Sequence, residues 1–320
     1  MHRVAFVFPG QGSQSVGMAR SLVAASPGAA AIFAEADAAL GESISSLAWD
    51  GPAESLDRTE NAQPALLAAS IAYLVAVRER WAADGVAVEP AFVAGHSMGQ
   101  YSALVAAGAI SLADGVRLVR ERGRLMQASG AGRDGAMAAV IGLDDERLPD
   151  LVAAASRYGV FGIANRNAPG QVVVSGERAA IEATAELARG LGARKSIVLP
   201  VSVAAHSPLM AEAAEGMRAA IAGVEFRDPA VPLLANADAR PITTAEACRA
   251  ELVAHLVTGV DWVAAVERMA ADGVAAFVEI GPGRVLTGLI KRIVPDAEAI
   301  ALDDPGAPDR LAAPFAAAPA

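Results

Sequence analysis

The sequence is poor in cysteine, in aromatic residues and in long apolar runs, and each shortage excludes a class of protein. Its single cysteine, Cys248, excludes an internal disulfide and a multi-cysteine metal cluster, and the helix-like run Ala245–Leu252 predicts a buried thiol. Aromatic residues make up 4% of the chain, too few for a surface that stacks on single-stranded nucleic acid. Charges interrupt every apolar run before about 18 residues, so we expect a soluble cytoplasmic protein without a signal peptide or membrane span.

Basic residues are also scarce relative to acidic ones. The 320 residues include 26 Lys and Arg against 36 Asp and Glu, which gives a formal net charge of −10. The average field of such a protein repels nucleic acid and anionic membranes. It does not exclude an anionic substrate or an acidic partner, because a few well-placed cations decide local binding.

Hydrophobic residues make up 54% of the chain, enough for the core of one large domain or two modest ones. The apolar runs Val4–Phe8 and Ala91–Ala94 are short and predict buried parallel strands. Ala62–Val77 is apolar all round and predicts a buried helix, and helices are also predicted at Met98–Ala107 and Leu112–Gln127. Strands that alternate with helices indicate an α/β fold with a mainly parallel sheet.

The middle of the chain has a different pattern. Strands and helices are predicted there in the order β-α-β-β-α-β, at Gly135–Gly142, Asp145–Arg157, Phe161–Asn165, Gln171–Ser175, Glu177–Arg189 and Lys195–Val201. This order is that of a ferredoxin-like unit. The larger pattern then resumes with elements at Pro208–Ala222, Pro232–Asn236, Ala245–Leu256, Trp262–Ala271 and Ala276–Ile280. We expect a discontinuous large α/β subdomain at 1–130 and 200–300, an inserted ferredoxin-like subdomain at 131–199 after a hinge at Ser129–Gly135, and a flexible tail at 305–320.

The strongest local signal is the G-x-S-x-G element that spans residues 95–99. It follows a predicted strand and precedes a predicted helix, the context in which such a turn exposes a strained nucleophilic serine, here Ser97. The backbone N–H of Met98 then faces a developing oxyanion at the helix N-terminus. The alternative is a tight turn with a capping serine.

A nucleophilic serine needs a base, and the chain has four histidines: His2, His96, His206 and His255. His206 lies in a loop between a predicted strand and a predicted helix, where catalytic groups of parallel α/β folds are placed. A structural loop histidine is the alternative. His96 adjoins Ser97, so its side chain is expected to project away from it, and His255 lies in a helical pattern as a surface or core residue.

The turn after the first strand, residues 9–14, is the second unusual segment. Gln11 lies between two glycines at the end of that strand, where its amide could donate into a pocket. A Gly-rich turn without function is the alternative. A nucleotide-binding loop is not expected, because the spacing is wrong and no Lys-Ser/Thr pair follows.

Six segments together resemble the malonyl-CoA:acyl carrier protein transacylase family. They are PGQGSQ at 9–14, GHSMGQYSA at 95–103, RGRLMQ at 122–127, NAPGQVVVSG at 167–176, PVSVAAHS at 200–207 and EIGPGRVLTGL at 279–289. The resemblance runs from residue 4 to about residue 294, in order and with the family's spacings. It implies an α/β fold in which a parallel-sheet, hydrolase-like large subdomain carries the ferredoxin-like insert.

The resemblance also implies a mechanism and a site. Ser97 would be the nucleophile, His206 the general base, and Gln11 and Met98 the oxyanion donors, while Arg122 would bind the malonyl carboxylate through its planar fork. Substrate-binding positions would be Gln63, Asn165, Asn167, Ala205 and His96. The acyl group passes from malonyl-CoA through an ester on Ser97 to the phosphopantetheine thiol of an acyl carrier protein. No metal or redox cofactor is implied, and we expect a monomer.

Three positions depart from the family. Gln100 stands where the family usually has Glu, a change expected to alter local hydrogen bonding and charge without abolishing activity. At Asp261 the family usually has Gln or Arg, and the backbone carbonyl at this position is expected to orient His206, with the Asp261 carboxylate as an alternative. Ala205 replaces a larger residue and could leave room for an α-alkyl group, so alkylmalonyl-CoA is a second candidate substrate.

The sequence leaves other functions and partners open. A serine hydrolase would use the same turn, and a non-catalytic docking module is a further alternative. The free-standing chain could serve fatty acid or polyketide synthesis. Cations that could line the rim of the pocket for anionic partners are Arg189, Arg194, Lys195, Arg284, Lys291 and Arg292.

Overall fold

The computed structural model describes residues 3–130, 134–201 and 203–303. The expected tail at 305–320 and part of the expected hinge therefore lie outside the described residues. Within the described ranges the chain forms a mixed α/β structure with two sheets. No helix in these ranges is both long enough and apolar enough to cross a membrane.

The strands, in chain order, are β1 (Arg3–Phe8), β2 (Phe92–Gly95), β3 (Gly135–Ile141), β4 (Phe161–Ala168), β5 (Gln171–Glu177), β6 (Lys195–Val198), β7 (Leu233–Leu234), β8 (Pro241–Ile242), β9 (Val260–Asp261), β10 (Val274–Ile280) and β11 (Glu298–Leu302). The helices are α1 (Arg20–Ala25), α2 (Pro27–Leu40), α3 (Ile44–Asp50), α4 (Ala53–Leu56), α5 (Thr59–Ala83), α6 (Gly99–Ala106), α7 (Leu112–Gly130), α8 (Leu148–Ala155), α9 (Arg178–Gly190), α10 (Ala211–Ala222), α11 (Ala245–Thr258), α12 (Trp262–Ala271) and α13 (Val285–Ile293). Short 3₁₀ turns occur at Asp145–Arg147, Ser156–Tyr158 and Pro208–Met210.

The first sheet has the order β11-β10-β1-β2-β7-β8 and is parallel from β11 to β7. Its central strand β1 is buried from Val4 to Phe8, because helices cover both faces of the sheet. In the β1–β2 register Phe8 lies opposite Gly95, so the loops that carry Gln11 and Ser97 leave the same edge of the sheet side by side. The sequence predicted the parallel arrangement and the core strands.

Helix α5 is buried almost all round, as predicted, and packs against α7. The two helices approach closely at Gly123, where a Cβ atom would lie 2.5 Å from the Cα of Glu60. Glycine is therefore required at this crossing. The close approach brings Arg122 on α7 within reach of Gln63 on α5.

The second sheet has the order β6-β3-β5-β4-β9. Its first four strands are antiparallel and come from the predicted β-α-β-β-α-β segment, in which β3, α8, β4, β5, α9 and β6 follow one another. The short strand β9 lies later in the chain and adds to β4 in parallel, with Arg166 opposite Asp261. This pairing, which the sequence did not predict, ties the second sheet to the part of the chain that precedes α12.

Candidate active site

The serine of the G-x-S-x-G element occupies a tight strand-to-helix turn between β2 and α6. Ser97 has a φ of 53°, a left-handed conformation that is rare for a side-chain-bearing residue. A Cβ atom on Gly95 would lie 1.9 Å from the carbonyl carbon of Gly99, and one on Gly99 would lie 2.2 Å from the carbonyl oxygen of Phe8. The two glycines are therefore needed because the turn packs directly on itself and on β1.

His206 lies next to this serine. Its Nε2 is 2.8 Å from Ser97 Oγ, and its Nδ1 is 2.7 Å from the backbone carbonyl oxygen of His255. Because a carbonyl can only accept, Nδ1 carries the proton and Nε2 is free to accept from the serine hydroxyl. Burial and the nearby Arg122 cation lower the pKa of His206 to about 3, so the imidazole is neutral at physiological pH.

The expectation for Asp261 was wrong in both of its forms. The carbonyl that orients His206 belongs to His255, in the last turn of α11, where carbonyls lack a partner within the helix. The Asp261 carboxylate instead accepts from Arg166 Nη1 at 2.6 Å and from the Ala264 N–H at 3.0 Å, which caps α12. The side chain serves the junction between β4 and α12.

Arg122 is 1% exposed, and its guanidinium faces the reactive pair. Nη1 donates to Gln63 Oε1 at 2.9 Å, and Nη2 donates to Ser97 Oγ at 3.0 Å. Nη2 is also 3.4 Å from Nε2 of the buried His255. Within the described part of the chain no carboxylate forms an ion pair with it, and burial lowers its pKa. A buried cation without a counterion is a site prepared for an anion.

Met98 and Gln11 are the residues predicted to donate to the oxyanion. Met98 precedes α6, and among the described residues its N–H has no hydrogen-bond partner. Gln11 Nε2 donates to Thr59 Oγ1 at 3.3 Å, so this side chain turns toward α5. The role of Gln11 as an oxyanion donor stays a prediction.

The reactive groups open into a cavity of about 600 Å³. Its lining includes most of the predicted residues, namely Gln11, His96, Ser97, Met98, Arg122, Asn165, Ala205 and His206. Gln63 and Asn167 lie behind this lining. Gln63 accepts a hydrogen bond from Arg122, and Asn167 Oδ1 accepts one from His96 Nε2 at 2.8 Å. None of the six predicted rim cations lines the cavity, in which Arg122 is the one arginine or lysine among the described residues.

The acyl transferase domain family matches residues 5–303. The chain belongs to this acyl transferase family. Malonyl CoA-acyl carrier protein transacylase of Escherichia coli strain K12 is 46% identical to this acyl transferase over 307 residues, which cover 96% of the chain and 98% of the relative.

Two solved structures resemble the acyl transferase over nearly their whole length. An acyl carrier protein S-malonyltransferase from Vibrio cholerae has a TM-score of 0.91 and 42% identity, with 97% and 99% of the two chains covered. A malonyl-transacylase in complex with its type II polyketide synthase acyl carrier protein has a TM-score of 0.90 and 42% identity, with 96% and 98% covered.

Several residues of the acyl transferase site were not predicted from the sequence. Met126 lies one turn after Arg122 on α7 and lines the cavity with Met137 of β3, and the helical spacing could have indicated the first of them. Asn236 donates to Gln100 Oε1 at 2.6 Å, and both side chains are buried behind Ser97. Gln100 therefore faces away from the cavity, which explains how it can differ from the usual Glu.

Proposed function

We propose that this acyl transferase transfers a malonyl group from malonyl-CoA to the phosphopantetheine thiol of an acyl carrier protein. The observation that carries the proposal is the buried Arg122, whose Nη2 lies 3.0 Å from Ser97 Oγ and which has no carboxylate partner among the described residues. An acyl group that ends in a carboxylate would supply this partner while its thioester lies at the serine. The relatives named above, which act on malonyl-CoA and acyl carrier protein, support the same substrates.

The first half of the reaction forms an ester on Ser97. His206 Nε2 accepts the hydroxyl proton as Oγ attacks the thioester carbonyl, and the Met98 and Gln11 N–H groups stabilise the oxyanion. The tetrahedral intermediate collapses with cleavage of the C–S bond, and coenzyme A leaves as a thiol with the proton that His206 held. A carboxylate bound to Arg122 cancels the cation that lowers the pKa of His206, so the base becomes stronger when substrate is bound.

The second half reverses these steps with a different thiol. The phosphopantetheine thiol of the carrier protein gives its proton to His206 and attacks the ester, and Ser97 leaves with that proton. Arg122 holds the carboxylate through both halves. The nucleophile, the base and the oxyanion donors are all groups of the protein, so we propose that the reaction needs no metal or redox cofactor.

We also propose the finer description of the fold and assembly. The six-stranded sheet would form a hydrolase-like large subdomain at 1–130 and 200–300, since its parallel strands carry Ser97 at their carboxyl edge. The segment 131–199 would be the ferredoxin-like subdomain, which its connectivity and strand order β6-β3-β5-β4 support. We propose that the chain acts as a monomer.

A coenzyme A release assay distinguishes transfer from hydrolysis. With malonyl-CoA alone we expect one burst of coenzyme A per enzyme and a malonyl adduct on Ser97 by intact mass, then slow turnover. Added holo carrier protein restores turnover and gains the malonyl mass. Fast release of free malonate without the carrier would identify a hydrolase, and absence of the adduct would indicate a docking module. Ser97→Ala serves as the control and should give neither burst nor adduct.

Alkylmalonyl-CoA is a second candidate substrate because of Ala205. This residue is 8% exposed and lines the cavity together with Met126 and Met137. A methyl side chain leaves space that a larger residue would fill, and volume alone discriminates by about 1–3 kcal/mol per methylene. Competition of malonyl-, methylmalonyl- and ethylmalonyl-CoA for acylation of Ser97, measured by intact mass, decides between them.

A further inference from the structure

Asn236, just after β7, is buried behind the nucleophile with both ends of its side-chain amide bonded. Oδ1 accepts from the backbone N–H of Ser97 at 2.8 Å. Nδ2 donates to the carbonyl oxygen of Gly95 at 2.9 Å and to Gln100 Oε1 at 2.6 Å. The Asn236 side chain thus binds three residues of the turn: Gly95 before the serine, Ser97 itself and Gln100 after it.

The orientation of this amide is fixed by its neighbours. The Ser97 N–H is a donor on one side of the amide, and the Gly95 carbonyl oxygen is an acceptor on the other. An inverted amide would place its NH₂ group against the Ser97 N–H and its oxygen against the Gly95 carbonyl oxygen. Gln100 is oriented in the same way, because its Nε2 donates to the Leu234 carbonyl oxygen at 3.0 Å and leaves Oε1 to accept from Asn236. The two amides therefore form a buried hydrogen-bond network in which the orientation of each amide is fixed.

The backbone of Asn236 is held as firmly as its side chain. Its N–H donates to Glu251 Oε1 on α11 at 2.6 Å, and its carbonyl oxygen accepts from the N–H of Asp261 on β9 at 2.6 Å. These contacts come from two other elements of the fold. The amide can therefore resist a displacement of the turn instead of following it.

The turn needs such support because Ser97 has a φ of 53°, a conformation that persists only when surrounding contacts impose it. The bond to Asn236 also commits the Ser97 N–H to the protein interior. The next residue, Met98, lines the cavity at the start of α6, and among the described residues its N–H has no hydrogen-bond partner. Both the direction of Oγ and the choice of oxyanion donor depend on the same contact.

We propose that Asn236 is a positioning residue for acyl transfer, which holds the Ser97 backbone so that Oγ reaches His206 and the Met98 N–H reaches the oxyanion. The proposal rests on the proposed function, because it concerns the same ester-forming serine. Asn236 acts through Ser97 and does not itself touch the substrate. Gln100 is the second amide of this network. The network therefore gives a role to the glutamine that stands where the family usually has Glu.

The test measures acylation per active site. A rapid-mixing burst of coenzyme A from malonyl-CoA counts competent sites by its amplitude and gives the acylation rate constant by its time course. For Asn236→Ala we expect the rate constant to fall by about 10²-fold, since misplacing a reacting group by about 1 Å has an effect of this size. The substrate concentration at half-maximal rate should change less than about threefold, because Arg122 is untouched.

Control variants separate positioning from folding. Val266→Ala removes buried volume on α12, away from the site, and should lower the melting temperature while the per-site rate constant stays at the wild-type value. Gln100→Leu leaves Asn236 in place but removes one of its partners, and we expect a fall of about 3- to 10-fold, the effect of one hydrogen bond. This second variant keeps the proposal testable if Asn236→Ala does not fold.

The outcomes for this proposal and for the proposed function are distinct. If wild-type enzyme gives no burst with malonyl-CoA, the proposed function fails whatever the variants do. If the wild type acylates and Gln100→Leu, or a folded Asn236→Ala, keeps a rate constant within twofold of it, the positioning role is overturned. A reduced burst amplitude with an unchanged rate constant also overturns it, because this is the signature of a purely structural residue.

Discussion

Replacing Arg122 by Met should convert a transacylase for malonyl groups into an enzyme without preference for a terminal carboxylate. Met keeps most of the apolar stem of the side chain and removes the guanidinium that donates to Ser97 Oγ and Gln63 Oε1. Two charge-assisted hydrogen bonds to a carboxylate contribute about 1.5–3 kcal/mol each. Desolvation of the substrate carboxylate on entering the site offsets part of this, which leaves about 3–4 kcal/mol. We expect kcat/KM for malonyl-CoA to fall by about 10²- to 10³-fold.

The same substitution should raise the pKa of the general base, His206. The Arg122 cation is one of the causes that lower the pKa of His206 to about 3, so its removal raises this pKa toward the ordinary value. Since only the neutral imidazole accepts the serine proton, the acidic limb of the pH profile should move to higher pH. Acetyl-CoA, which has no terminal carboxylate, reports this shift without the loss of binding.

The assay is coenzyme A release under kcat/KM conditions from pH 4 to 9, run with malonyl-CoA and with acetyl-CoA. Arg124→Met is the matched control, because it removes the same charge from an exposed position on the same helix. Its profile and substrate preference should equal those of the wild type. An equal loss of activity on both substrates in Arg122→Met would refute the reasoning, since it would show that the guanidinium supports the site without recognising a carboxylate.

Three further variants test other parts of the site. Asp261→Asn should lower the free energy of unfolding by at most about 1 kcal/mol, because its pair with Arg166 is partly exposed, and a changed pH profile would contradict our assignment. Ala205→Phe should reduce acylation by methylmalonyl-CoA at least tenfold more than by malonyl-CoA in a mass-spectrometric competition; an equal effect would place this side chain away from the α-carbon. Reversing the exposed Lys195 and Lys291 to Glu should weaken transfer to the carrier more than acylation by malonyl-CoA, and equal effects on both half-reactions would remove them from the docking surface.

The main elements of the fold could be predicted from the sequence because their patterns are local. The apolar run at β1 and the all-round burial of α5 are visible in the residues themselves. Strands of two residues, such as β8 and β9, are too short to show an alternation, and their pairing is decided by distant partners. For the same reason β7 covers only two of the five residues expected to form a strand there.

Part of the site could likewise be predicted from the sequence, and part of it could not. Ser97 is marked by its flanking glycines, and the close backbone contacts at Gly95 and Gly99 are the physical origin of that pattern. The carbonyl of His255 could not be predicted, because any residue supplies a carbonyl and only the end of α11 makes this one available. Asn236 lies 139 residues from Ser97, so its contact depends on the order of β2 and β7 in the sheet and not on a motif.

The charge of the whole chain and the charge of its site have opposite signs, and the site decides the chemistry. A net charge of −10 is spread over the molecule, where solvent screens it. Arg122 is 1% exposed and unpaired among the described residues, so its cation acts on the cavity with little screening. Two further features at the same place are energetically unfavourable, namely the left-handed backbone conformations of Ser97 and of His206. Unfavourable features that meet at one point are typical of a site built for a ligand: the carboxylate that we propose for Arg122 would relieve the first, and the other two would aim the reacting atoms.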